Sequence, residues 1–373
     1  MIPLPSWAKT AALAFTLPLL ILINSLAQSV AGNSAPNEAV WLRVKDQQIV
    51  TSPLAPGGEK PFIPVGIGYC RDVLISAQDD AVMKYCKERY LNTVRLSFYL
   101  LTFNGHADRP INVDAHIRDF IDPVVDAAKR ANMYVILDDH EYLSSAVDEA
   151  TARQKQEAKS WDEATVQQWI DGWVKVAERY QNDPNVLGYE LINEPHDIAP
   201  EDAREKITRC LQAIRKVDQR HIILVGNNDW SHARSMEATW GPTASTVDAP
   251  FNNVVFTFHD YPDDNHPWEV QRHITTFRGK HKVPVLCTEF GSTPWNKTET
   301  VCREFQCGML TLFAKENVGW MIWALNRLKD DPRAVWVDPS KPPVGQHDVG
   351  DSCAYSDLWK PVARIMASPF PTE

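Results

Sequence analysis

Eight short β-branched and aromatic runs recur along this chain, each followed by a helical pattern. The runs are Phe62–Cys70, Thr93–Leu100, Tyr134–His140, Val186–Asn193, His221–Asn227, Asn253–Tyr261, Val283–Gly291 and Val318–Leu325. Their starts lie 30 to 52 residues apart, which suits a strand, a loop, a helix and a return to a parallel neighbour. Eight such units predict an α/β chain closed into a (β/α)8 TIM barrel. A doubly wound sheet is the alternative, but no Gly-rich phosphate turn follows any run. Apolar residues at 44% and charged residues at 23% exclude a disordered chain, a collagen and a coiled coil.

Helices are legible between the strands. Asp162–Gln181 carries Val166, Trp169, Ile170, Trp173, Val174, Ala177 and Tyr180 on one stripe. Asp122-Pro123 reads as an N-cap with Pro at the first helical position, opening a helix through Arg130. Asp357–Ser368 reads as a closing helix. Val40–Val44 and Gln48–Thr51 form an expected hairpin placed to cover the barrel's bottom.

The first 31 residues have a different character. Lys9 is their only charge, Ala11–Ala27 is apolar, and Ser25-Leu26-Ala27 and Ser29-Val30-Ala31 are small-residue cleavage patterns. This is the layout of a secretory signal peptide, so residues 1–31 are expected to be removed and 32–373 to form one exported (β/α)8 domain, secreted or periplasmic. An uncleaved anchor is the alternative, although Pro18 and Asn24 interrupt the run. Loss of Lys9 takes the formal charge from −10 to −11. An acidic chain without a basic run is a poor ligand for a phosphate backbone, so no nucleic acid is expected as a partner, and no membrane after cleavage. Seven cysteines with no zinc-type spacing predict no structural metal. The odd number leaves at least one thiol unpaired or paired between chains.

In a barrel of this kind chemistry gathers where strands end. Strand alternation puts Val94, Leu96 and Phe98 toward the helices and Arg95 into the barrel; it likewise turns His259 and Tyr261 inward and gives Asp138 and His140 one face. Two carboxylates, Glu194 and Glu289, end strands four and seven. Two carboxyls facing each other across a barrel axis are what hydrolysis of a glycosidic bond requires. Thirteen Trp and ten Tyr provide flat faces for sugar rings, although most are expected to be packing.

The string Tyr189-Glu190-Leu191-Ile192-Asn193-Glu194-Pro195-His196 resembles the acid/base motif of glycoside hydrolase family 5, in its cellulase-like members, and Thr288-Glu289-Phe290-Gly291 resembles that family's nucleophile strand. The likeness runs from about Trp41 to Trp359. Two departures stand out: Glu141 after His140, and Tyr69-Cys70 closing strand one, where family members often carry Asn.

The resemblance implies a clan A retaining β-glycanase that needs no cofactor and no metal. Glu194 would be the acid/base and Glu289 the nucleophile. Arg95, His140, Asn193, His259, Tyr261 and Trp323 would contact substrate, with Asn193 on the sugar 2-OH and Trp323 as the floor of the reacting subsite. Burial and the neighbouring Glu289 charge are expected to raise the Glu194 pKa.

The implied substrate is a β-linked polysaccharide or oligosaccharide, with endo-β-1,4-glucanase first, β-1,4-mannanase next, then xyloglucan or a short β-glucoside, and the implied state is a monomer. A non-catalytic sugar-binding protein would not need both carboxylates. A metal-dependent hydrolase using Asp138, His140 and His259 lacks ligands on strand one.

Several residues read as structural. Glu190 is expected to brace Arg95, and Asp138 to brace Arg95 or a His. Cys287, with the parity of Glu289, reads as an inert buried thiol. His106 and the tryptophans at 161, 230, 240, 268, 295 and 336 fall in or near loops above the mouth. For the leader, Edman sequencing of protein from the native host should begin near Gln28 or Gly32; full-length, membrane-bound protein carrying Lys9 would favour the anchor.

Overall fold

The computed structural model describes residues 40–71, 79–102, 110–142, 162–262, 266–291 and 299–325. The expected leader, the closing helix, His106 and the tryptophans at 161, 295 and 336 lie outside them. Among the described residues no helix is long and apolar enough to cross a membrane.

Three strands precede the barrel: β1 (Leu42–Lys45), β2 (Gln48–Thr51) and β3 (Pro61–Phe62), in the order β1-β2-β3. Eight parallel strands then close into a barrel: β4 (Val65–Cys70), β5 (Thr93–Phe98), β6 (Tyr134–Asp139), β7 (Val186–Glu190), β8 (Ile222–Val225), β9 (Val254–Asp260), β10 (Val285–Phe290) and β11 (Gly319–Leu325). The expected fold class is the observed one.

The first boundary differs. Phe62 belongs to the N-terminal sheet, paired with Ile49, and the barrel strand starts three residues later. Pro64 separates the two, and a residue without an N–H cannot continue a ladder. Beneath the barrel, Leu42, Ile49 and Phe62 pack with Ile136, Leu187, Ile222, Leu224, Val255, Leu286 and Met321, the apolar residues that fill its lower interior. Val44 N donates to Asn253 Oδ1 and Tyr134 Oη to the Val40 carbonyl. The hairpin therefore closes the bottom, as expected.

The outer layer is built from helices α1 (Asp79–Glu88), α2 (Val113–His116), α3 (Asp122–Arg130), α4 (Glu163–Tyr180), α5 (Pro200–Arg215), α6 (Met236–Trp240), α7 (Pro267–His281) and α8 (Glu299–Glu316). Val94, Leu96 and Phe98 join the apolar layer between strands and helices, so β5 alternates as expected. Asp162 caps α4 by accepting from Thr165 N.

Asp122 is not a cap. Chain enters α3 from α2 through a π-helical turn at Ile117–Ile121, and the true N-cap is Asn112. Pro123 has no N–H to give the Asp119 carbonyl, so the coil widens there instead of beginning. Arg71 Nη1 takes up the released Asp119 and Phe120 carbonyls at 3.2 and 3.0 Å.

Candidate active site

Arg95 stands at the centre. It is fully buried on β5 and donates in three directions: Nε to Glu190 Oε2 at 2.7 Å, Nη1 to Glu289 Oε2 at 3.0 Å, and Nη2 to Asn193 Oδ1 at 2.7 Å. Nη2 also lies 3.0 Å from Asp138 Oδ1. A buried guanidinium needs such partners. Burial works against its charge, but Asp138, Glu190 and Glu289 outweigh burial and keep it protonated. Burial likewise opposes the Glu190 carboxylate, yet Arg95, with help from His259, holds its pKa down to about 2. Glu190 and Asp138 brace the arginine as expected. Asp138 Oδ2 also meets His140 Nδ1 at 2.8 Å and accepts from Ser97 Oγ.

The two carboxylates converge above this base. Glu289 is held at both oxygens, by Arg95 on Oε2 and by Tyr261 Oη on Oε1 at 2.7 Å. Glu194 Oε1 meets His259 Nδ1 at 2.8 Å, and the other ring nitrogen meets Thr288 Oγ1 at 3.0 Å. Glu194, His259 and Glu289 each present an atom within 4.8 Å of the others. That trio could hold a cation by distance alone, but Arg95 and Tyr261 already occupy both Glu289 oxygens and a guanidinium borders the site. This donor set disfavours a resident metal.

Plain alternation does not deliver Glu289 to the site. Leu286 lies in the inner cluster, so two-residue periodicity would send Thr288 in and Glu289 out. A β-bulge between Cys287 and Glu289 resets the register: Cys287 pairs with Phe258, and Glu289 with His259. Cys287 thus packs in the outer layer, opposite to the side its parity with Glu289 implied. It is a buried thiol, and burial pushes its pKa well up, so the inert reading stands.

The Glu194 expectation needs correction. Burial does favour its neutral form, but the hydrogen bond and charge of His259, then the charges of His140 and His232, outweigh it and hold the pKa below the ordinary value. His259 is correspondingly raised: burial opposes its charge, but Glu289, Glu190 and Glu194 overcome that and push its pKa to about 10. In the free site the proton resides on the imidazole.

Asn193 has its Oδ1 fixed by Arg95, which orients the amide and leaves Nδ2 buried without a protein partner. Trp323 is 8% exposed; His140 stacks on it with centroids 4.8 Å apart and planes 5° apart. Gly68 makes room for that ring, since a Cβ there would lie 2.8 Å from it. His140 therefore covers part of one face of Trp323 and fixes the orientation of that ring.

All eight residues singled out from sequence meet around this centre. Tyr99, which shares the Arg95 parity and lies 6.2 Å from the His140 ring, was not singled out. Neither were Thr288 and His232. Parity pointed to Tyr99; alternation counted back from an inward Glu289 turned Thr288 outward, and nothing in the sequence pointed to His232. Trp230 packs against His196, centroids 3.7 Å apart. It lies in a left-handed turn, with Asp229, Trp230 and Ser231 at φ of 60°, 57° and 55°. Such a turn is costly for residues with a Cβ. Ser231 Oγ, donating to the Asn193 carbonyl at 3.0 Å, ties it to the site.

The two departures turn out to be structural. Glu141 is buried and accepts from Leu101 N and Thr102 N at 2.8 Å each, with burial raising its pKa to about 7. Tyr69 faces the helices and donates to Asp79 Oδ1.

The cellulase model of glycosyl hydrolase family 5 matches residues 63–329, which contain every site residue above. Endoglucanase A of Butyrivibrio fibrisolvens is 28% identical over 204 residues, 54% of this chain and 41% of that protein. This chain thus spans about two fifths of that relative. The endoglucanase of Paenibacillus polymyxa is 26% identical over 304 residues, 70% of this chain and 72% of that one. Among solved structures, the cellulase Cel5C_n superposes with a TM-score of 0.64 at 20% identity, covering 90% of this chain and 95% of that one, a likeness of fold.

The His259 charge makes a pH prediction. A folded pKa near 10 against an ordinary 6.5 means the imidazolium stabilises the fold fully below pH 6.5, and the gain is lost as pH rises through 10. Urea unfolding should therefore show a fall in stability between those values that is shallower in His259→Asn. Parallel curves for the two proteins would contradict the imidazolium.

Proposed function

This chain belongs to the cellulase family, glycosyl hydrolase family 5, and from that premise we propose that it cleaves β-1,4-linked glucan internally, with retention at the anomeric carbon. The observation that carries this reading is the approach of the Glu194 and Glu289 carboxylate oxygens to within 4.8 Å. Retaining enzymes hold their carboxyls about 5–5.5 Å apart, whereas inverting ones leave about 6.5–9.5 Å for a water.

Glu289 is the nucleophile. Arg95 and Tyr261 donate to its two oxygens, which favours the anionic form needed for attack and aims it. Glu194 is the acid/base. It is ionised in the free site, but Nδ1 of the His259 imidazolium lies 2.8 Å from its Oε1. A sugar that displaces water from the carboxylate raises its proton affinity, and the proton can pass along that contact.

Glu194 then protonates the glycosidic oxygen as Glu289 bonds to the anomeric carbon; in the second half Glu194 deprotonates the water that releases the sugar. The free Asn193 Nδ2 is placed to donate to the 2-OH. Trp323, its orientation fixed by the stacked His140, supplies the flat face for the ring in the reacting subsite.

Glucan is the first choice on the strength of the 189–196 string, and β-1,4-mannan is the second reading, because loops set substrate choice. Export is part of the proposal. Cys307 is disulfide-bonded, which suits an oxidising compartment and agrees with the N-terminal layout. The active unit is proposed to be a monomer.

Assays on β-glucans and β-mannans should give oligosaccharides of several lengths from carboxymethylcellulose and little from mannan; the reverse ranking would select the second reading. Glu289→Gln should abolish turnover. Glu194→Gln should lose roughly 10²–10⁴-fold on polysaccharide and far less on the glycosylation step of an aryl glycoside whose leaving group needs no proton. Equal losses on both substrates would count against the acid role.

A further inference from the structure

We propose that Thr288 is a positioning residue for the acid step: its hydroxyl occupies Nε2 of His259, so that Nδ1 is the nitrogen that passes a proton to Glu194 and takes one back. This rests on the hydrolase reading above and adds to it a residue whose side chain touches neither carboxylate's reacting oxygen.

The geometry is specific to the bulge. Because the register slips between Cys287 and Glu289, two successive side chains of β10 serve the same site: Glu289 meets Arg95 and Tyr261, and Thr288 meets His259. Thr288 is 1% exposed, so its hydroxyl is taken from water and placed 3.0 Å from Nε2. A regular strand would offer only one of the two.

Charged groups surround the ring. From β7 and the turn after it, Glu190 Oε1 lies 3.9 Å from Nε2 and Glu194 Oε1 lies 2.8 Å from Nδ1. From β10, Glu289 Oε2 lies 4.0 Å from Nδ1. Arg95 of β5 binds both Glu190 and Glu289. His140 and His232 act on Glu194 from β6 and the turn after β8. The ring thus has a carboxylate near each nitrogen, with Glu194 in hydrogen-bonding contact at Nδ1 and Glu190 beyond it at Nε2.

Thr288 fills the Nε2 side. A Thr hydroxyl can donate or accept; on the imidazolium it accepts from Nε2–H and is too weak a base to remove that proton, so with Glu190 beyond hydrogen-bonding reach the ring keeps its hydrogen on Nε2 when Nδ1–H passes to Glu194. The proton that leaves is then the one on Nδ1, facing Glu194. The balance closes over the cycle. Nδ1–H breaks as Glu194 O–H forms. Glu194 O–H then breaks as the glycosidic oxygen takes the proton and the bond electrons. In the second half the attacking water gives a proton to Glu194, which returns it to Nδ1.

The test uses the full chain with Thr288→Val, which keeps the branched shape, and Thr288→Ser, which keeps the hydroxyl. Ring ¹⁵N and ¹H signals of His259, assigned by their loss in His259→Asn, report the tautomer directly. The wild type and the Ser variant should retain Nε2–H after the ring has titrated; the Val variant should populate both tautomers. On β-1,4-glucan the Val variant should lose about tenfold or more in kcat with KM within about twofold, and the Ser variant should recover most of that loss.

A Val variant with the wild-type tautomer, or one with an altered ring but wild-type kcat, overturns the proposal. If Val does not fold, Thr288→Ala is read by the same spectra. A wild-type protein that cleaves no β-glycan would sink the hydrolase reading instead, while the ring spectra would still decide whether Thr288 sets the tautomer.

Discussion

A single guanidinium organises the upper barrel. Arg95 reaches Glu190 on β7, Glu289 on β10, Asp138 on β6 and Asn193 beyond β7, so strands from across the ring are tied to one planar cation. Three carboxylates this close would otherwise repel each other in a medium that screens poorly. With Arg95 present, each has a partner, and Arg95's fixed fork dictates where each oxygen lies. Removing it would leave buried negative charge facing buried negative charge. The orientation of Asn193 and the aim of Glu289 both follow from this one residue.

The second half of the site is organised around His259, and the two halves are coupled. Glu289 and Glu190, which satisfy Arg95, also help to hold His259 protonated, and His259 in turn keeps Glu194 ionised in the free site. In the proposed mechanism, acid and nucleophile are thus distinguished by their neighbours: one carboxylate is bonded to an arginine that never releases its proton, the other to an imidazole that can. Two chemically identical groups are thereby placed in different electrostatic surroundings, which is what different roles would require.

Much of this was legible before any coordinates. The repeat of strand and helix implied the barrel, and alternation on β5 and β9 aimed Arg95, His259 and Tyr261 inward. Glu190 and Asp138 were readable as the arginine's partners because a buried charge must have them. Other features were hidden for physical reasons. Glu289 faces inward only because of a bulge that plain periodicity does not show, and its parity therefore misplaced Cys287, which lies before the bulge and faces outward. Asp122-Pro123 looked like a helix start, whereas the missing Pro123 N–H widens a helix already under way. The direction of the Glu194 shift depends on histidines from three separate strands and turns, which no local pattern brings together. Glu141 looked like a change in the substrate site and proved to be a clamp on the 101–102 backbone.

The account stands or falls on Glu289 bonding directly to the sugar. Two displacements at one carbon restore its configuration, so proton NMR of the first cellooligosaccharide products should show the β anomer in excess before mutarotation scrambles it. An initial excess of the α anomer would mean a single displacement by water, with the two carboxyls working across a wider gap than the one seen here and Glu289 acting as a base.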